Sequence, residues 1–330
     1  MSKSTRCLFV AVVLSVALPA FAQNATEDTS PYPSRMVEIY VGAGPGTGSD
    51  SVARYFADKL RSKTGQQFMV INRAGLYGQL AANEVMRARP DGHTLFITPN
   101  STLTVNPYLV RNATFDPNKD LTPITTIAKW GLVLLVNAER TPAKTLDELT
   151  AFLKGGPAKH SFASGHYAGR AAGEIYKRAA GLDVVHVPYK AIPPAITDLL
   201  GGHVDFLFSD VVAGLPHVKA GRLRALAVTS PRRVEALPEV PTLAEAGVGG
   251  TEVPLSWFAV LMPANAPADL KFRIASLFNA VLDMPETRDF YQRISADPFP
   301  GTPENLVELI KRETRLQGDL IKILGIEKFD

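Results

Sequence analysis

The chain has 330 residues, 35 Lys and Arg against 32 Asp and Glu, and one cysteine. A net charge of +3 gives no support to a nucleic-acid partner, which needs a basic face. A chain of this length is long enough for two lobes whose core needs no disulfides.

The N-terminus reads first. Lys3 and Arg6 make a positive start, residues 7–18 are apolar except for Ser15, and Ala20-Phe21-Ala22 is a small-residue cleavage pattern. Together they predict a secretory signal peptide over residues 1–22, its apolar run shorter than the roughly 20 residues that span a bilayer. Cleavage removes Cys7 and lowers the net charge from +3 to +1, leaving an exported, periplasmic chain without thiols. Residues 23–35, polar and rich in Thr, Ser and Pro, read as a flexible leader.

Strand and helix then alternate. Residues 37–41 read as a strand ending in a glycine-rich turn. Residues 51–62 carry the helical stripe Val52, Ala53, Phe56, Ala57 and Leu60. Strands at 68–71 and 94–98 flank a helix at 80–87 and the turn Pro90-Asp91-Gly92, implying a mostly parallel sheet. A second series has strands at 132–136, 184–187, 204–208 and 223–228, with helices at 145–153, 171–180 and 195–200 and a loop starting at Phe162. The tail reads as helices at 267–283, 285–295 and 303–323, each opened by a proline. The expected fold is α/β and two-lobed, with residues 36–136 and 257–330 in one lobe and 137–256 in the other. Its hinge falls near Val136 and Trp257, and its ligand cleft lies between the lobes at the carboxyl ends of strands.

Two strand–loop–helix junctions carry the chemistry. Gly42-Ala43-Gly44-Pro45-Gly46-Thr47-Gly48-Ser49-Asp50 opens a helix that Ser49 or Asp50 can cap, and such a turn aims N–H groups at an anion. It is no dinucleotide fingerprint: the third glycine would fall on Thr47 or Ser49. Its candidate ligand contacts are Gly44, Gly46, Thr47, Gly48 and Ser49. The second junction offers Ser164, Gly165, His166, Tyr167, Ala168, Gly169 and Arg170. A cation early in a helix opposes the positive helix end, so Arg170 calls for an anion, either Glu174 four residues on or the ligand. Asn100 and Ser101, and Ser209 and Asp210, add polar groups at strand ends, and Val187-Pro188-Tyr189-Lys190 forms a further strand end. Each strand end alone resembles an ordinary turn. Two helix openings facing one cleft favour an aliphatic dicarboxylate; Tyr77 and Tyr167 could stack on an aromatic carboxylate instead.

Catalytic patterns are sparse. There is no G-x-S-x-G elbow, and the six histidines form no H-E-x-x-H pair, so neither cofactor nor metal is expected. His186, between Val185 and Val187, reads as structural. The competing classes are an exported hydrolase using His166 with Ser164 or Asp210, and a sensor that presents its ligand to a membrane kinase.

Several segments together resemble the periplasmic substrate-binding proteins of tripartite tricarboxylate transporters, the Bug-type or TctC-like family. They are residues 44–50 with Ala53-Arg54, Ile71-Asn72-Arg73, Pro90-Asp91-Gly92, residues 186–190, 197–205, 221–230 and 237–247. The resemblance runs from about Val37 to the C-terminus. It implies a two-lobed, periplasmic-binding-protein-like fold that closes on a small organic acid, held by the loops at Gly44–Ser49 and Ser164–Gly169, and delivers it to membrane transporter subunits; the chain is expected to be a monomer. The chain departs from the family pattern at His166, Tyr167, Ala168 and Arg170, at Ala74-Gly75-Leu76-Tyr77-Gly78, and at Ala191.

Overall fold

The computed structural model describes residues 32–111, 115–155, 160–248, 253 and 255–328. The expected signal peptide, and the leader up to residue 31, lie outside the described residues.

The first half of the chain builds β1 (Val37–Val41), α1 (Gly48–Thr64), β2 (Phe68–Asn72), α2 (Gln79–Met86), β3 (Thr94–Pro99), α3 (Asn100–Thr104), α4 (Asn106–Leu109) and β4 (Leu121–Trp130). The second series is β5 (Leu132–Asn137), α5 (Leu146–Lys154), β6 (Ser161–Ser164), α6 (Tyr167–Ala180), β7 (Val185–Pro188), α7 (Ile192–Gly201), β8 (Phe206–Asp210), α8 (Val211–Lys219) and β9 (Leu223–Val228). The chain ends with β10 (Ser256–Pro263), α9 (Ala268–Leu282), α10 (Pro285–Ile294), β11 (Ala296–Pro298) and α11 (Pro303–Leu324).

Among the described residues, six strands form one sheet in the order β11-β4-β10-β3-β1-β2, and five form another, β7-β6-β8-β5-β9. Each sheet centres one lobe. β1 pairs in parallel with β2 and β3, as right-handed crossovers require. The sheet is nonetheless mixed, because β10 runs antiparallel to β3 and β4, and β11 to β4. In the second sheet β6 is parallel to β7 and β8, whereas β5 is antiparallel to β8 and β9. The strands that carry the chain between the sheets, β4, β5, β9 and β10, all have antiparallel neighbours.

Local rules explain the elements. The predicted stripe of α1, from Val52 to Leu60, is buried. Its cap is Thr47 rather than Ser49 or Asp50: the Thr47 hydroxyl accepts from the Asp50 N–H, and Gly65 closes the helix at φ 74°. Phe162, expected in a loop, lies in the short strand β6. α9 and α11 pack on β4, so the tail returns to the first sheet.

The sheets meet at two crossovers. Leu132–Val136 pairs with β8 and β9, so the chain changes sheets at Gly131, ahead of the expected position near Val136. The return falls at Ser256, at the start of β10. The crossovers touch: the Leu132 N–H donates to the Thr229 hydroxyl at 2.7 Å and the Thr229 N–H to the Leu132 carbonyl at 2.8 Å. A Cβ at Gly131 would stand 2.6 Å from the Ser230 nitrogen, so only glycine permits this approach.

Candidate functional site

The loops at the strand ends of both sheets enclose a cavity of about 840 Å³. Its first wall is the turn after β1. Asp50, only 5% exposed, holds this turn from below. Its carboxylate accepts the Gly46 N–H at 3.0 Å, the Asn72 amide at 3.0 Å and Arg54 Nε at 3.1 Å, and Asn72 also donates to the Ala43 carbonyl at 3.0 Å. Burial alone would raise this carboxyl, but the bonds from Arg54, Gly46 and Asn72 outweigh it and hold it below the usual range. Asp50 therefore shapes the turn and is itself fully engaged.

The opposite wall is the opening of α6. His166 is its cap: Nδ1 accepts the Gly169 N–H at 2.9 Å. With Nδ1 an acceptor, a ring proton sits on Nε2. That nitrogen stands 3.3 Å from Asp210 Oδ1, close enough for attraction but off the line of a hydrogen bond. Asp210 reaches across the sheets. It accepts the Gly48 N–H, in the first turn of α1, at 3.1 Å and the Trp130 indole N–H at 3.3 Å. Burial opposes its ionisation, yet His166, the Gly48 N–H and the Trp130 indole outweigh burial and hold the carboxyl below the usual range.

Arg170 lies one turn into α6 and faces the cavity. Its Nε is buried without an acceptor among the described residues. Glu174, the local acid that could have neutralised it, faces Lys177 at 4.0 Å. Tyr77 lies beside Arg170; burial raises its phenol, with the guanidinium opposing. Leu76 and Tyr77 hold left-handed backbone, φ 46° and 48°, a strained turn at the cavity edge. It is fixed from behind by the Thr102 hydroxyl, which donates to the Tyr77 carbonyl at 2.8 Å, and by Asn106, which donates to the Leu76 carbonyl at 3.4 Å.

Of the residues expected from sequence, Gly44, Thr47, Ser49, Tyr77 and Ser101 line the cavity from the first sheet. Gly165, His166, Ala168, Arg170 and Asp210 line it from the second. The others stand behind this lining. The N–H groups of Gly46, Gly48 and Gly169 are taken by Asp50, Asp210 and His166. Asn100 donates to the Leu255 carbonyl at 3.4 Å and the Ser209 hydroxyl to the Asp210 carbonyl at 3.0 Å. Tyr167 is 3% exposed, its hydroxyl donating to Gln317 of α11 at 2.9 Å, so its ring is core and offers no stacking face. Ser164 bonds His186 Nε2 at 2.7 Å instead of pairing with His166. Burial, helped by the charges of Arg170 and Lys177, pushes His186 down to about 4, so its ring is neutral at neutral pH.

Leu76, Leu80, Phe258, His186 and Lys190 also line the cavity, although sequence reasoning placed none of them among the ligand contacts and read His186 as structural. Lys190 had a signal, its place at a strand end; the apolar three look like core residues in any sequence pattern. Among the described residues, no cluster of three or more His, Cys, Asp or Glu is placed to hold a metal.

Two sheets, paired crossovers and a cleft between them define a two-lobed periplasmic-binding-protein-like fold. The chain belongs to the tripartite tricarboxylate transporter receptor family, whose model, "Tripartite tricarboxylate transporter family receptor", matches residues 52–326. A "UPF0065 protein in tcbD-tcbE intergenic region" of Pseudomonas sp. (strain P51) is 34% identical over 88% of this chain and 86% of its own length. Among solved structures, an R. palustris protein described with adipate is 29% identical, with a TM-score of 0.86 over 91% of this chain and all of its own. The periplasmic binding protein BugD is 27% identical, with a TM-score of 0.84 over 90% of this chain and all of its own.

Proposed function

We propose that the protein is a periplasmic receptor that captures a small carboxylate, an aliphatic dicarboxylate or an aromatic carboxylate, and delivers it to a tripartite membrane transporter. The observation that carries this reading is the Arg170 guanidinium, which lines the cavity and whose buried Nε has no acceptor among the described residues. A charge-assisted, bidentate bond to a carboxylate would satisfy it. The adipate held by the R. palustris relative supports the same ligand class. Membership of a receptor family supports binding and release rather than turnover. No helix of the described residues is long and apolar enough to cross a membrane, which fits work alongside separate membrane subunits.

In this reading the lobes hinge at Gly131 and at the segment between β9 and β10. The ligand stabilises the closed form to the extent that it binds that form better. The test is a thermal-shift screen of the purified protein against organic acids, sugars and divalent cations. Binding raises the midpoint by mass action, by an amount set by ligand concentration over Kd. Stabilisation by one or more carboxylates is expected. Stabilisation only by sugars or cations would refute the reading.

A further inference from the structure

Two helix openings facing one cleft suggest two anion seats, and hence a dicarboxylate. The seats are not equivalent. At α1 the chain supplies its own anion: Asp210 sits on the Gly48 N–H at 3.1 Å, with the Trp130 indole N–H at 3.3 Å, and is 5% exposed. The remaining carboxylate of that region, Asp50, is spent on Gly46, Asn72 and Arg54. A ligand carboxylate approaching α1 meets a fixed negative charge where a vacant helix end would have attracted it. At α6 the same Asp210 faces His166 Nε2 at 3.3 Å, and Arg170 adds a positive charge whose Nε has no acceptor among the described residues.

Elsewhere the wall is divided between polar groups (Thr47, Ser49, Ser101, His186 and Lys190) and an apolar face. Leu76 and Leu80 stand on the strained side of the cavity and Phe258 on the crossing strand β10. Leu80 is 45% exposed, an apolar surface that a ligand's hydrocarbon would cover. A cavity of about 840 Å³ also has room for more than a four-carbon chain.

Resting on the carboxylate-receptor reading, we infer that the ligand carries one carboxylate, seated by Arg170, and an apolar body against Leu76, Leu80 and Phe258. Asp210 is the residue that discriminates against a second carboxylate. Such selectivity by an opposing charge is a difference of affinities, so it shows in paired ligands.

The test is calorimetric titration with two pairs that share a body: hexanoate against adipate, and benzoate against terephthalate. The wild-type protein should bind at least one monoacid about tenfold or more tighter than its diacid partner. In Asp210→Asn, which keeps an acceptor oxygen and removes the charge, that ratio should shrink. Tighter binding of the diacid in both pairs by the wild type overturns the inference and leaves the receptor reading intact. An unchanged ratio in a folded Asp210→Asn protein overturns the role of Asp210. If that variant does not fold, the wild-type ratios still decide the ligand class. If none of these acids binds and only sugars or cations stabilise the protein, the receptor reading itself is what fails.

Discussion

The openings of α1 and α6 look alike in sequence, each a strand running through glycines and small polar residues into a helix. In the structure they are opposites. The α1 opening is closed upon itself: Asp50 and Asp210 take the N–H groups of Gly46 and Gly48, and both carboxylates are buried. The α6 opening is capped by His166, and Arg170, which lines the cavity, keeps a buried donor without an acceptor among the described residues. The difference teaches that a helix N-terminus is an anion site only while the protein has no anion of its own to put there. Whether it has one depends on residues far away in the chain: Gly48 and Asp210 are 162 positions apart.

The largest expected effect contrasts a glycine from each region. A Cβ at Gly165 would lie 2.3 Å from the Ala191 carbonyl carbon, backbone that cannot step aside, whereas one at Gly44 would meet only the Ala191 methyl at 3.4 Å. Gly165→Ala should cost about 3 kcal/mol in denaturant unfolding, and Gly44→Ala less than about 0.5 kcal/mol. Equal costs would break the picture of a tightly packed α6 opening.

Next comes Asp210→Ala, which strands the Gly48 and Trp130 donors and should cost about 2 kcal/mol. The same carboxylate makes stability depend on acid. Its folded pKa lies below the unfolded value of about 3.9, so its contribution is complete above that pH and is lost as pH falls through the folded pKa. Melting temperatures followed from pH 7 to pH 2 should fall less steeply in Asp210→Asn than in the wild type. Asp50 contributes in the same direction and keeps the acid limb from vanishing. Identical slopes would show that the Asp210 charge does not favour the folded state.

Much of the fold was legible because it follows local periodicity: the α1 stripe, the strands at 37–41 and 94–98, and the three proline-led helices of the tail. The misses have local causes too. β6 has only four residues, too few to show alternation beside a glycine-rich loop. β4 carries Pro123 among threonines and reads as neither strand nor helix. At the site, the two loops were readable as strand–helix junctions, but the partners of their residues were not. Ser164 with His186, Tyr167 with Gln317 and Gly48 with Asp210 are tertiary pairs, which sequence spacing does not encode. Leu76, Leu80 and Phe258 were invisible because an apolar side chain that lines a ligand cavity has the same pattern as one that fills a core.

The central claim is that a ligand carboxylate is held at the α6 opening and not at the α1 opening. Its most direct test is calorimetry of Arg170→Gln beside the wild type, using whichever carboxylate stabilises the wild type most. The account predicts a weakening of about tenfold or more, near 1.4 kcal/mol, with an unfolding midpoint that barely moves in the absence of ligand. An unchanged Kd in the variant would contradict it, and would assign recognition to backbone amides elsewhere in the cleft.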